Sequence, residues 1–329
     1  MSTFLGGVRC ATLAALGAAA ASLWIAVPAT GATAPKSAQQ HFAAPEQGVE
    51  ALVNAAKADD QKAVLAILGP DAAQIVDSGD PVADDNARKR FLESYDKKHA
   101  LEPDGDNRSI LSVGEDGWPF PIPLVKGADG WYFDTKEGKQ ELLDRRIGRN
   151  ELSAIEVARA YVDAQRDYFE MNPEKGALHG YAQKIASSEG KHDGLYWPDK
   201  EGEPESPLGP AMARARSEGY ARTGTGKGDP YHGYFYRILT AQGPNAPGGK
   251  YDYVAKGKMI GGFALVAYPA EYGSSGVMTF LVNHDGVVYQ KDLGPSTAKL
   301  AKQMKAFDPD DTWQKVPSST GAAELPETS

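Results

Sequence analysis

The order of helical and strand-like patterns is the feature that most limits how this chain can fold. Apolar residues at helical spacing come first, stretches rich in β-branched and aromatic residues follow them, and this order occurs twice. The helical patterns lie at residues 45–68, 84–99 and 136–169, and the strand patterns at 109–133 and 231–293. Because helices that precede an antiparallel meander pack on one face of its sheet, we predict an α+β protein.

Two domains flanked by disordered segments follow from the same changes of pattern. A helix at 136–147 leads into a second helical stretch, for which Asn150 or Ser153 is the predicted N-cap. The predicted divisions are a disordered tether at 33–44, an N-terminal α+β domain at 45–148, a C-terminal domain of a helix followed by an antiparallel sheet at 149–316, and a disordered tail at 317–329.

Residues 1–32 have the charge, apolar and small-residue order of a secretory signal peptide. The only cysteine, Cys10, lies within this segment, so the mature chain is expected to fold without a disulfide. Removal of the segment takes away Arg9 and leaves 34 basic against 44 acidic side chains, a net charge of −10. Such a chain repels nucleic acid, and we expect a periplasmic or secreted protein with no stable membrane insertion after cleavage.

The stretch YPAEYGSSGVMTF at residues 268–280 joins two strand-like runs and carries a carboxylate, two tyrosines and two serines. Our main interpretation is a structural turn, in which Pro269 ends a strand and the serines bond to local backbone. Tyrosines crowd the same half of the chain, and their rings could stack on sugars or peptides or simply fill the core. The candidate binding surface consists of His232, Tyr234, Tyr268, Glu271, Tyr272, Ser274 and Ser275.

Catalytic interpretations of this stretch have less support than the structural one. The nucleophile elbow G-x-S-x-G fails because Val277 stands where the second glycine is required. A Ser-His-Asp set would have to assemble from Ser274 or Ser275, His232 or His284, and Asp285 or Asp292. A hydrolase could instead pair Glu271 with Asp285 or Asp292 as acid and base across a cleft. No metal-ligand spacing or cofactor motif is present, so we predict neither a metal nor a cofactor.

Long strings in this chain resemble a family of exported bacterial proteins of unknown function. They run in order over about residues 45–316 and include SGDPVAD, GWPFPIPLVK, YHGYFYRILTAQGP and VNHDGVVYQKDLGP. The order NELSAIEVARAYVDAQRDYF, GYFYRIL and GFALVAYPAEYG is also similar to the globular head of pilin-like proteins. Pilins lack the roughly 120 residues that here separate the apolar N-terminus from this helix. The N-terminal domain faintly resembles cystatin-like or NTF2-like folds.

These observations favour a non-enzymatic binding or scaffold component of the bacterial envelope, with an envelope protein or glycan as its partner. A periplasmic hydrolase of an envelope polymer that uses Glu271 is one alternative. Capture of a small ligand between the helices and sheet of the N-terminal domain is another. A closed apolar pocket would favour ligand capture, and paired carboxylates in a cleft would favour the hydrolase.

Overall fold

The computed structural model describes residues 39–220 and 229–317, which belong to one compact unit. The predicted signal peptide, residues 33–38 of the predicted tether and residues 318–329 of the predicted tail lie outside the described residues. None of the helices within the described ranges is both long and apolar enough to cross a membrane. The α-helices are α1 Pro45–Lys57, α2 Gln61–Leu68, α3 Ala73–Val76, α4 Pro81–Lys97, α5 Thr135–Met171, α6 Gly209–Ser217 and α7 Thr297–Gln303.

The N-terminal half is a helical layer on a small antiparallel sheet. Strand β1 was not anticipated, and the others fall where strand patterns were predicted. The strands are β1 His99–Pro103, β2 Arg108–Val113, β3 Trp118–Pro119, β4 Leu124–Gly127 and β5 Gly130–Phe133. Their order is β1-β2-β4-β5, and β3 pairs with β2. Strand β2 alternates buried and half-buried residues, and its inward side chains Leu111 and Val113 join a core with Leu52 and Phe133.

Helix α5 runs without interruption for 37 residues, although two helical segments were predicted. Asn150 does not cap a second helix, because its buried side chain donates a hydrogen bond across the structure to the carbonyl of Ser275, at 2.9 Å. A distant acceptor therefore replaces the local backbone as the partner of this amide. The predicted domain boundary between residues 148 and 149 falls inside this helix.

The C-terminal half carries a second antiparallel sheet with the larger core. Its strands are β6 Tyr234–Leu239, β7 Ala241–Gln242, β8 Tyr251–Asp252, β9 Val254–Ala255, β10 Lys258–Met259, β11 Ala264–Pro269, β12 Met278–Asn283, β13 Val288–Asp292 and β14 Gln314–Lys315. The sheet order is β14-β13-β12-β11-β6, and β7 with β8 and β9 with β10 form two small pairs outside it. Helix α5 packs on this sheet through Ala158 and Val162, among others. The α+β class is thus confirmed.

Residues 39–44 are part of the fold and correct the predicted tether. The side chain of Gln39 donates to the carbonyls of Ile67 and Phe133, at 3.1 and 2.7 Å. Phe42 is buried in the N-terminal core and exchanges two backbone hydrogen bonds with Trp131, each of 2.8 Å. Apolar burial and strand-like pairing of Phe42 therefore anchor the segment together with the hydrogen bonds of Gln39.

Candidate functional site

The segment from Pro269 to Val277 is a closed turn. Strand β11 ends at Pro269, and the Ser275 hydroxyl donates to the Glu271 carbonyl at 3.1 Å while accepting from the Glu271 backbone N–H at 2.9 Å. The backbone N–H of Gly273 donates to the Gly276 carbonyl at 2.9 Å. Ser275 thus satisfies backbone groups of the turn, as the structural interpretation proposed, whereas the hydroxyl of Ser274 has a distant partner.

Side chains from distant parts of the chain hold this turn in place. The Ser274 hydroxyl donates to the Gln74 carbonyl at 3.0 Å, and the Glu151 carboxylate accepts the backbone N–H groups of Val277 and Met278 at 3.0 and 2.9 Å. Both serines are fully buried, and their hydroxyls donate to carbonyl oxygens. A serine nucleophile needs a neighbouring base, so this geometry does not support the Ser-His-Asp reading.

Some residues of the candidate binding surface are buried, and others are exposed. Tyr234 is fully buried and donates to the Met278 carbonyl at 2.9 Å, and Tyr268 is only 6 % exposed. Together with Ser274 and Ser275, these side chains lie in the interior, where a partner has no access to them. His232, Glu271 and Tyr272 keep exposed or half-exposed surface.

The carboxylates proposed for a hydrolase are not all neighbours. Glu271 precedes strand β12 and Asp285 follows it, and six residues of strand separate the two ends by about 20 Å. Asp292 lies at the same end as Glu271, where it accepts a hydrogen bond from the Tyr272 hydroxyl at 3.2 Å. Asp285 therefore does not fit the spacing of about 5–10 Å that an acid and base pair requires.

His232 and Gly233 form the tip of a tight turn before strand β6. Tyr231 and Tyr234 exchange backbone hydrogen bonds, and both tip residues have positive φ, 49° at His232 and 75° at Gly233, as in type I′ turns. The His232 Nε2 lies 3.0 Å from the Glu218 Oε2. Burial lowers the pKa of His232, and the Glu218 carboxylate only partly opposes this shift.

This shift predicts a pH dependence of stability. Below its ordinary pKa of 6.5, His232 binds fewer protons in the folded chain than in the unfolded chain. The contribution of His232 to the free energy of unfolding should therefore be fully present above pH 6.5. It should be lost as the pH decreases from there through the folded-state pKa. We expect His232→Asn, which suits the left-handed backbone, to remove this part of the slope in urea unfolding between pH 7.5 and 5.5. An unchanged slope would show that other groups cause it.

A cavity of about 640 Å³ opens between the N-terminal helices and sheet. Helices α1, α2, α3 and α4 supply most of its lining, and Phe120, from the loop between β3 and β4, adds one residue of the sheet. Its larger apolar lining residues include Leu52, Val64, Leu68, Ile75, Phe91 and Phe120. This volume lies within the range of small-molecule sites, which are mostly apolar concavities with a few polar groups.

Charged residues on the cavity wall are mainly acidic. Five carboxylates, those of Asp59, Asp60, Asp77, Asp84 and Asp85, stand against the single guanidinium of Arg88. Arg88 pairs with Asp59 at 3.1 Å and with Asp85, and it donates to the Ala56 carbonyl at 2.9 Å. Asp60 and Asp77 accept only backbone N–H groups within the described residues, from Ala63 and Gly79.

Asp84 is the most enclosed of these carboxylates. Burial raises its pKa above the ordinary value, although the Ser78 backbone N–H donates to it at 2.9 Å and the Arg146 guanidinium lies 4.0 Å away. An ionised carboxylate in such a position is stabilised by a further positive charge. The cavity therefore combines an apolar interior with a wall that favours a cation.

Sequence reasoning placed ligand capture in this half of the chain but named no residues for it. The usable signal was the acidic run SGDPVADD at the start of α4, whose carboxylates lie next to apolar helix faces. Across residues 39–220 and 229–317, no group of three histidine, cysteine or acidic side chains is arranged to hold a metal ion.

Comparison with known proteins defines the family. Residues 39–316 match the family model described as a protein of unknown function, DUF2950. No curated protein and no solved structure matches the chain. Because the match covers most of the sequence, the chain belongs to the DUF2950 family of proteins of unknown function.

Proposed function

We propose that this chain is a binding protein of the bacterial envelope, exported through residues 1–32, which captures a small ligand in the N-terminal cavity. The supporting observation is the cavity of about 640 Å³ with an apolar interior and an acidic wall. The candidate surface at residues 268–276 offers less, because most of its polar groups are used inside the protein. The likeness of the C-terminal half to pilin heads remains a prediction.

The charge of the wall selects the class of ligand. A cation bound near Asp60 and Asp77, which form no ion pair within the described residues, would offset their negative charge, whereas an anion would meet repulsion. The apolar lining suits a hydrocarbon or aromatic body. The ligand is therefore an amphipathic organic cation, such as an amine or a quaternary ammonium compound.

Calorimetric titration with three probes of equal chain length tests this proposal. The probes are octyltrimethylammonium, octanol and octanoate, all below the concentration at which they form micelles. We expect the cation to bind about tenfold more tightly than the neutral alcohol, and octanoate to bind most weakly, because the wall adds an electrostatic preference to the same apolar contact.

A pair of matched variants separates the cavity from the general acidity of the chain. Asp60→Asn with Asp77→Asn removes two wall charges and keeps an acceptor for each backbone N–H. It should weaken binding of the cation about tenfold and leave octanol unchanged. Asp71→Asn with Asp129→Asn removes two exposed charges outside the cavity and should change neither. Equal binding of octyltrimethylammonium and octanoate, or no binding of any probe, would refute the proposal.

A further inference from the structure

Arg88 links the two sides of the N-terminal cavity where it opens to solvent, between the α1–α2 turn and helices α3 and α4. We call this opening the mouth. Arg88 belongs to α4, and its Nε lies 3.1 Å from the Asp59 carboxylate in the turn between α1 and α2. Its Nη1 donates to the Ala56 carbonyl near the end of α1 at 2.9 Å. Asp59 is exposed and Ala56 is buried, so the guanidinium reaches from the surface into the interior along the mouth.

The guanidinium of Arg88 occupies two of the five carboxylates on the cavity wall. Besides Asp59 it pairs with Asp85, three residues earlier on α4. A guanidinium carries five N–H donors in one plane, so it can hold two carboxylates and a carbonyl at the same time. A positive group of a ligand that approached Asp59 or Asp85 would have to displace a charge already in place.

Asp60 and Asp77 stand on opposite sides of the mouth and are open to a cation. The Gln61 Nε2 donates to the Val76 carbonyl at 3.5 Å, a long hydrogen bond that joins the start of α2 to the end of α3. Asp60 directly precedes Gln61 and Asp77 directly follows Val76, so both carboxylates flank this link. Neither of them forms an ion pair within the described residues.

We infer that Arg88 is the specificity-determining residue of the cavity, because it sets where a ligand places its positive charge and how strongly the wall prefers cations. It excludes that charge from two carboxylates, those of Asp59 and Asp85. The positive group of the ligand is directed to Asp60 and Asp77 instead. This inference rests on the proposed function, since it concerns the same cavity and the same class of ligand.

Calorimetric titration of Arg88 variants with octyltrimethylammonium and octanol tests the inference. Arg88→Gln and Arg88→Met both remove the charge, and methionine keeps the apolar stem. We expect both variants to bind the cation about tenfold more tightly than the parent chain and to bind octanol unchanged, because two further carboxylates become available. Arg88→Lys keeps the positive charge and should bind the cation within about twofold of the parent.

Lys57→Gln is the matched control for the change in net charge. Lys57 pairs with Asp96 at 3.0 Å and thus also joins α1 to α4, but neither residue lines the cavity. This variant should leave the affinity for both probes unchanged. A gain in cation affinity equal to that of Arg88→Gln would overturn the inference, because net charge alone would then explain the effect.

A double-mutant cycle locates the bound charge. In the parent chain, Asp60→Asn with Asp77→Asn should weaken binding of the cation about tenfold, as stated above. In the Arg88→Gln chain the same pair should cost less than about threefold, because Asp59 and Asp85 can then hold the cation.

The outcomes separate this inference from the proposed function. If the parent prefers the cation but both neutral variants keep the parent's ratio of cation to octanol affinity, the inference fails and the proposed function stands. If only the neutral variants prefer the cation, Arg88 blocks the wall of the natural chain, so the proposed ligand class fails and the inference stands. No binding of the cation to the parent or to either neutral variant overturns both.

Discussion

Gly138→Ala should lower the free energy of unfolding by about 2–4 kcal/mol, even though alanine is the better helix former. Gly138 lies in the first turns of α5, where a Cβ atom would stand 2.7 Å from the Ile122 backbone nitrogen and closer still to the Pro121 carbonyl. These neighbours are backbone atoms, so no rotamer change can relieve the overlap. Either α5 or the segment before β4 must move.

Hydrogen bonds of the residues just before Gly138 fix this close approach. The Thr135 hydroxyl donates to the Leu68 carbonyl at 2.6 Å, and the Asp134 backbone N–H donates to the Pro123 carbonyl at 2.9 Å. Strand β5 leads directly into the helix at this point, so the start of α5 cannot slide away without breaking these hydrogen bonds. The cost of the extra methyl group should therefore exceed the helix propensity that alanine gains.

Gly148→Ala in the same helix is the matched control. A Cβ atom at Gly148 would meet no atom within 4 Å, so this variant should gain about 0.5–1 kcal/mol from helix propensity alone. Urea unfolding of both variants measures the difference. Equal stabilisation by the two substitutions would show that a methyl group at residue 138 meets no obstacle at Pro121.

These two glycines also illustrate what sequence can and cannot predict. Gly138 falls within the predicted helix at 136–147 and Gly148 directly follows it, and helix propensity disfavours glycine equally at both positions. Only the tertiary contact with Pro121 separates them. The same limit explains Asn150, whose type suggested a helix N-cap, but whose partner is Ser275, 125 positions away.

The strands of five or six residues in the C-terminal sheet were easier to predict than the short strand pairs beside it. The runs that became β6, β11, β12 and β13 were identified because their branched and aromatic residues match a sheet surface. Within the strand pattern predicted at 231–293, residues 251–259 form three short strands, β8, β9 and β10. Lys256 and Gly257 have φ values of 51° and 78°, which turn the chain back on itself.

The candidate sites were predictable only in part. The turn at residues 268–276 was recognised as structural from its proline and glycines. The N-terminal cavity was proposed as a class of site, but its wall combines residues of four helices and a loop whose packing has no signal in sequence. The pairs of Asp85 with Arg88 and Lys89 follow from helical spacing, whereas the contacts of Arg88 with Asp59 and of Asp84 with Arg146 depend on three-dimensional neighbours.

Asp80→Ala should be the most destabilising loss of a polar side chain among those considered, with a cost of about 3–5 kcal/mol. The Asp80 carboxylate is fully buried and accepts three hydrogen bonds: from the Ala83 backbone N–H at 3.0 Å, the Tyr220 hydroxyl at 3.0 Å and the Gly233 backbone N–H at 2.8 Å. Truncation would leave three buried donors without a partner.

These hydrogen bonds join segments that are far apart in the sequence. Asp80 caps helix α4 in the N-terminal half, whereas Tyr220 follows α6 and Gly233 lies in the turn before β6. The Tyr220 hydroxyl in turn accepts the His232 backbone N–H at 3.2 Å. Loss of the carboxylate should thus loosen both the start of α4 and the turn that carries His232.

Asp60→Ala provides the comparison for Asp80→Ala. Asp60 also caps a helix, accepting the Ala63 backbone N–H at 2.9 Å, but it is exposed and has no second donor within the described residues. Its loss should cost about 1 kcal/mol, the usual value of a helix cap. Urea unfolding of both variants, with a double-mutant cycle between Asp80→Ala and Tyr220→Phe, measures the excess. If the two caps cost the same and the cycle shows no coupling, Asp80 acts only on its own helix; a larger cost with positive coupling means that one carboxylate holds the two halves of the chain together.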